Sequence, residues 1–140
     1  MRAIKSSELR IGNWIIDYEA EPNKTIYWQV ETIEYLNTTL GIKFRNGSSW
    51  TCEEFIEPIK LTEEWLLKFG FELNSDEGDC KFYEKGKHGI RWVDGDEFYF
   101  YLIMNYRDEY WILKEIYDVH QLQNLYFSLT GEELTFTKDK

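Results

Sequence analysis

The sequence has few of the residues that usually form disulfide frameworks or metal sites, with only two cysteines and two histidines among 140 residues. Two cysteines do not make the framework of a small secreted domain, and the cytosol would keep them reduced. No apolar run approaches the ~18 residues that a membrane span requires. The first residues also lack a long apolar segment followed by a small-residue cleavage site. We therefore expect a cytoplasmic protein that makes no membrane contact.

Basic residues are also scarce, because 16 Lys and Arg face 26 Asp and Glu, which gives a net charge of -10. Residues 1–60 hold 7 basic against 9 acidic residues, whereas residues 61–140 hold 9 against 17. An acidic surface repels phosphate backbones, so nucleic-acid binding is not expected. Two interpretations of the charge stay open. It either keeps the protein soluble or imitates nucleic acid in order to occupy a groove on another protein.

Apolar residues are plentiful, and those of the first half follow a β-strand pattern. Residues 26–33 and 40–44 are rich in β-branched and aromatic side chains, and residues 50–52 form a short return segment. Asn46-Gly47 lies between the last two and is a strong signal for a tight hairpin. We therefore predict that residues 1–60 form a small antiparallel, SH3-like β-barrel.

The second half, residues 61–140, begins with a helix pattern in which Thr62 is suited to the N-cap and Gly70 to the C-terminus. Strand patterns then extend to Ile116, and Asp94-Gly95 predicts a hairpin within them. The order is a helix, a three-stranded β-meander and a C-terminal helix. The whole chain is therefore predicted to be α+β, with two subdomains that either share one compact unit or fold separately.

The longest predicted strand, Glu97–Met104, has large apolar residues on both faces. Such a strand either lies in the centre of a sheet or binds something on one face. Tyr99 and Tyr101 project to one side, and Trp92 or Trp111 from neighbouring strands could join them in an aromatic surface. Tyr and Trp are frequent anchors of protein interfaces, so this surface is a candidate binding site.

The C-terminal helix is predicted from Asp118 and Gln121, which have the spacing of a capping box, and from Gly131 as its end. One face is apolar and is expected to be core; it contains Val119, Leu122, Leu125, Tyr126 and Leu129. A second face either packs on the rest of the chain or binds a partner; it contains His120, Gln123, Asn124 and Phe127.

No residue pattern points to catalysis, a metal or a cofactor. Cys52, Cys80, His88 and His120 would supply four metal ligands by number, but their spacing is unlike that of any zinc motif. There is no Gly-x-Ser-x-Gly nucleophile motif, and the Gly- and Lys-rich residues 84–89 lack the spacing of a P-loop. We therefore predict no catalytic, metal-binding or cofactor-binding residues.

Three blocks of the sequence resemble a family of small uncharacterised proteins encoded by gut anaerobic bacteria and by their phages and mobile elements. The blocks are Leu9–Asn13, Pro58-Ile59 with Leu61–Phe71, and Val119–Glu133, and the last of them is the most specific. Together these blocks make up about a quarter of the chain. It implies no catalytic residues and favours an accessory role in a phage or mobile element.

These observations favour a non-enzymatic protein-interaction module whose partner is an unknown protein or a second copy of the chain. Two alternatives stay open. One is an acidic inhibitor that mimics nucleic acid, which requires carboxylates in phosphate-like rows. The other is an enzyme or small-ligand-binding protein that uses the aromatic sheet face, which requires a pocket with converging titratable groups.

Overall fold

The computed structural model describes residues 4, 6–17, 27–36, 39–45, 50–52, 56–95, 97–104 and 109–137. These residues form two five-stranded antiparallel sheets and two α-helices, and 52% of them lie in strands. The chain divides into two compact units. The first contains Met1–Lys60 and Asp118–Glu133, and the second contains Leu61–Tyr117 and Leu134–Lys140.

The first unit contains a sheet with the strand order β4-β3-β2-β1-β5. Its strands are β1 Trp14–Asp17, β2 Tyr27–Leu36, β3 Thr39–Phe44, β4 Trp50–Cys52 and β5 Ile56–Pro58. A single 3-10 turn, Ser6–Glu8, precedes them. The sheet packs its apolar face into a core that contains Ile4, Leu9, Ile15, Val30, Ile42, Phe44 and Ile56. The hydrophobic burial of these side chains is the main source of stability of this unit.

Helix α2, Val119–Thr130, belongs to the first unit. The Val119 N–H donates to the Ile59 carbonyl, so the helix starts beside the end of β5. The predicted capping box of Asp118 and Gln121 is present, and Gly131 ends the helix in the left-handed conformation with φ 74°. Both signals are local, which explains why the sequence predicted them correctly.

The second unit contains an up-and-down sheet with the order β10-β9-β8-β7-β6. Its strands are β6 Glu72–Asp76, β7 Cys80–Lys85, β8 His88–Val93, β9 Glu97–Ile103 and β10 Tyr110–Ile116. Helix α1, Glu63–Lys68, lies on one face, where the Tyr83 hydroxyl donates a hydrogen bond to the Glu63 carboxylate. The core of this unit contains buried residues of the helix and of the sheet: Leu61, Trp65, Leu66, Phe69, Phe71, Tyr83, Ile90, Phe98, Phe100 and Ile116.

The predicted fold class, α+β with an SH3-like barrel, is wrong. The described residues form mostly two antiparallel β-sheets, with only two short helices and no closed barrel. Strand β5 pairs with β1, and no described strand joins β5 to β4, so the described strands of the first sheet do not close into a barrel. Closure depends on which distant strands meet, and the local alternation of side chains does not specify it.

The expected arrangement of residues 61–140 as a helix, a three-stranded meander and a second helix is likewise wrong. The second sheet has five strands, and one of them, β6, overlaps the polar residues 74–79. Strand β6 is at the edge of the sheet, and its side chains are mostly exposed, so it has no apolar alternation to reveal it. The helix that was expected to complete residues 61–140 instead lies with the first sheet.

The two predicted hairpins have different outcomes. Asp94 and Gly95 connect β8 to β9, and Gly95 has φ 99°, which a glycine adopts without strain. Asn46-Gly47 lies outside the described residues. No helix in the described part of the chain is long and apolar enough to cross a membrane.

Candidate functional site

The polar face of α2 is buried in the first unit. His120 and Gln123 are both 0% exposed, so these two members of the predicted interaction surface are inaccessible to a partner. The Gln123 side-chain oxygen accepts from the Trp14 N–H at 2.9 Å, and its amide donates to the Gly12 carbonyl at 2.9 Å. The His120 Nε2 lies 3.4 Å from a Glu8 carboxylate oxygen. These contacts attach the helix to the residues that lead into β1.

Asn124 continues the same network. Its amide donates to the Glu8 carbonyl at 2.7 Å, and its side-chain oxygen accepts from Asn13 at 2.8 Å and from the Arg10 Nε at 3.0 Å. Asn13 is itself fully buried, and its side-chain oxygen accepts from the Arg10 backbone N–H. Buried polar groups need hydrogen-bond partners, and here residues more than 100 positions apart supply them to one another.

Phe127, the aromatic member of the predicted surface on α2, is 38% exposed. The Arg10 guanidinium lies over its ring, 4.3 Å from the ring centroid, and also forms an ion pair with Glu133. A cation over an aromatic face is a favourable contact within the protein. Phe127 is therefore partly covered by the chain itself, as the packing interpretation of this face expected.

In the second sheet, the strand register shows which aromatic residues share a face. Trp92 lies opposite Phe98, and Trp111 lies opposite Leu102. Residues directly opposite each other in an antiparallel pair project to the same side, and neighbours along a strand project to opposite sides. Both tryptophans therefore lie on the face opposite to that of Tyr99 and Tyr101. The structure does not bring the four predicted aromatic residues together.

Tyr101 lies in a closed aromatic cluster and is only 1% exposed. Its ring centroid is 5.0 Å from that of Tyr110 and 5.9 Å from that of Phe82, and its hydroxyl donates to Glu84 at 2.9 Å. The ring lies against Gly89, where any Cβ would overlap it. Burial, together with the hydrogen bond to the Glu84 carboxylate, raises the pKa of the Tyr101 hydroxyl. This side chain packs the sheet and is not available as a stacking platform.

Tyr99 lies near the β10 side of the same face, among carboxylates. Its hydroxyl donates to Glu97 at 2.6 Å, and this hydrogen bond, with smaller effects that include the negative charge of Glu115, raises the pKa of Tyr99 to about 12. A negative neighbour opposes ionisation of the hydroxyl. The β9–β10 region is therefore acidic on this face.

Strand β10 presents an exposed apolar edge, which we define as the residues Tyr110, Trp111, Ile112 and Leu113. Their exposed fractions run from 36% for Tyr110 to 64% for Trp111. Among the described strands β10 pairs only with β9, so these residues lie at the border of the sheet. The sequence predicted Trp111 as a surface residue, but Tyr110, Ile112 and Leu113 were missed. The signal in the sequence was the run of four consecutive large apolar residues, because a strand at the border of a sheet leaves such residues exposed.

The backbone of the exposed apolar edge is also available for pairing. The Met104 N–H donates to the Glu109 carbonyl, and hydrogen-bonded and non-hydrogen-bonded pairs alternate along an antiparallel ladder. Tyr110 and Ile112 therefore point their N–H and C=O groups away from β9. The register shifts between Ile112 and Lys114, which marks a β-bulge at Leu113. The straight part of the edge thus ends at this bulge.

Four residues were considered as metal ligands or nucleophiles: Cys52, Cys80, His88 and His120. Cys80 and His88 lie at opposite ends of the β7–β8 hairpin, because Cys80 pairs with Val93 and His88 pairs with Lys85. His120 lies in the other unit, and the side chain of Cys52 is outside the described part. Across the residues that the structure describes, no three His, Cys, Asp or Glu side chains are placed to hold a metal ion.

Comparisons of the chain with protein-family models, with curated proteins and with solved structures find no match.

Proposed function

We propose that the chain is a non-enzymatic protein-interaction module that binds its partner through the exposed apolar edge of β10. The observation that supports this most is the 64% exposure of Trp111 beside three further exposed apolar residues. Contiguous apolar patches on soluble proteins commonly mark binding sites, and Trp and Tyr supply a large share of interface energy. The accessory role in a phage or mobile element belongs to the same proposal and rests on the three resembling blocks.

The charge around the edge agrees with a protein partner. Glu109 is exposed directly before the edge, Glu115 follows the bulge, and Lys114 is the single basic residue of β10. Interfaces typically combine an apolar centre with a polar rim that fixes register and excludes wrong partners. Here the apolar centre is β10, and the rim is acidic.

The test is affinity capture from a bacterial host lysate with the wild-type chain and two variants. Trp111→Ser removes the largest side chain of the edge, and Ile11→Ser removes a similarly exposed apolar residue of the first unit as a matched control. We expect the wild type and Ile11→Ser to retain the same protein. Trp111→Ser should weaken its binding by at least about 30-fold, the usual effect of truncating a central tryptophan. Equal capture by all three chains would refute the proposal.

A further inference from the structure

We infer that the partner contributes an extended, lysine- or arginine-bearing segment that adds to the second sheet as a new strand beside β10. This inference rests on the proposed function and specifies the chemistry of the partner and the geometry of its binding. An exposed strand edge with outward backbone groups is a ready template for such β-strand addition.

Tyr110 and Ile112 carry the backbone groups that face the open side of β10. Their N–H and C=O groups point away from β9, and no described strand pairs with them. An extended segment would make main-chain hydrogen bonds with both residues. The bulge at Leu113 limits the straight stretch to about four residues, so the added strand is expected to be short.

The side chains of the edge suit a strand more than a helix or a flat surface. Tyr110 and Ile112 project to one face of the sheet, and Trp111 projects to the other. An added strand alternates in the same way, so its own side chains would pack beside apolar residues on both faces. A helix laid against one face would leave either Trp111 or the pair Tyr110 and Ile112 uncovered.

The charge distribution favours a basic partner over a second copy of the chain. Edge-to-edge pairing of two copies would bring together two chains with a net charge of -10 each, which disfavours association. Glu109 directly precedes β10 and Glu115 lies on it, against one lysine of that strand, Lys114. Lysine or arginine in an added strand would be attracted to this rim, and their aliphatic stems would cover apolar surface.

The first experiment measures fluorescence anisotropy of a labelled eight-residue peptide of alternating valine and lysine, titrated with the full chain. The matched peptide has glutamate in place of lysine. We expect only the valine–lysine peptide to bind, with affinity falling at least about 10-fold between 50 and 500 mM salt, since exposed charge pairs are screened. Equal binding of both peptides, or binding of neither, would overturn the inference.

A second experiment tests the main-chain hydrogen bonds with Ile112→Pro and Ile112→Ala. Both variants lose the isoleucine side chain, but only proline removes the N–H that points to the open edge. We expect Ile112→Pro to bind the valine–lysine peptide at least about 10-fold more weakly than Ile112→Ala, since a lost main-chain bond leaves its partner unsatisfied. Equal affinities in folded variants would refute strand addition.

The same point can be tested without changing the chain, by N-methylating the peptide at alternate residues so that it loses its donors on one side. One of the two methylation phases should reduce binding, and full binding by both would contradict strand addition. Sedimentation that shows a dimer of the chain, dissolved by Ile112→Pro, would also overturn the inference, because the occupant would be a second copy. If Trp111→Ser loses the captured partner while the peptide does not bind, the inference fails and the proposed function stands.

Discussion

Replacement of Gln123 by methionine should destabilise the first unit, although the two side chains have similar volumes. Gln123 is fully buried and bridges two backbone groups, the N–H of Trp14 and the carbonyl of Gly12, each at 2.9 Å. Methionine fills the space and offers neither bond. The substitution therefore separates the contribution of hydrogen bonding from that of packing.

The magnitude follows from what each backbone group loses. The Trp14 N–H loses a buried acceptor, which costs about 1–3 kcal/mol. The Gly12 carbonyl also accepts from Gln29 at 3.1 Å, so its loss adds only about 0.5–1.5 kcal/mol. The expected decrease in the free energy of unfolding is therefore about 1.5–4.5 kcal/mol, which is a large fraction of the stability of a small domain.

Amide hydrogen exchange measured by NMR is the suitable assay, because two compact units need not unfold in one transition. The amides of β1 and α2 should exchange about 10- to 1,600-fold faster in Gln123→Met than in the wild type. The matched control is Ser128→Met on the exposed side of the same helix, which should change the free energy of opening by less than about 0.5 kcal/mol.

Exchange of these amides in Gln123→Met that stays within the range of the Ser128→Met control would refute this prediction. The two hydrogen bonds would then contribute nothing net to the docking of α2. A uniform increase in exchange across the second sheet as well would show that the substitution acts on the whole chain and not on the contact between α2 and β1.

Two further predictions concern the second sheet. Gly89→Ala should lower the free energy of unfolding by about 1–3 kcal/mol, because the added Cβ would overlap the Tyr101 ring. In a Tyr101→Leu background most of this loss should disappear. Urea unfolding measures both values, and an equal loss in both backgrounds would contradict the steric explanation. Burial lowers the pKa of His88 below its ordinary value of 6.5, so the unfolded chain binds the proton more readily. Stability should therefore fall as pH drops below about 6.5, and His88→Phe should flatten this dependence in urea titrations between pH 5 and 8; an unchanged slope would assign the effect to other groups.

Part of the structure could be predicted from local sequence because the deciding contacts lie a few residues apart. The capping box of Asp118 and Gln121, the left-handed Gly131 and the connection at Asp94-Gly95 are all of this kind. Strand β6 was missed for the converse reason. Its residues face solvent at the edge of a sheet, and only pairing with β7 makes them a strand.

The candidate site was less predictable than the elements that contain it. Trp111 was identified as a surface aromatic, but its supposed neighbours Tyr99 and Tyr101 lie on the other face of the sheet. On α2, the pattern grouped His120 and Gln123 correctly on one face. It could not show that this face is buried, because the backbone groups that satisfy it come from the start of the chain.

The sequence by itself determined the acidic charge, the presence of an apolar core and the ends of the terminal helix, since these depend on composition or on contacts within a single turn. Tertiary structure decided that both sheets are open among the described strands, that α2 joins the first sheet, and that Tyr110–Leu113 lies exposed at an edge. The physical reason is that burial and strand pairing are properties of distant segments that meet. The same apolar run is core in a central strand and a binding surface at an edge.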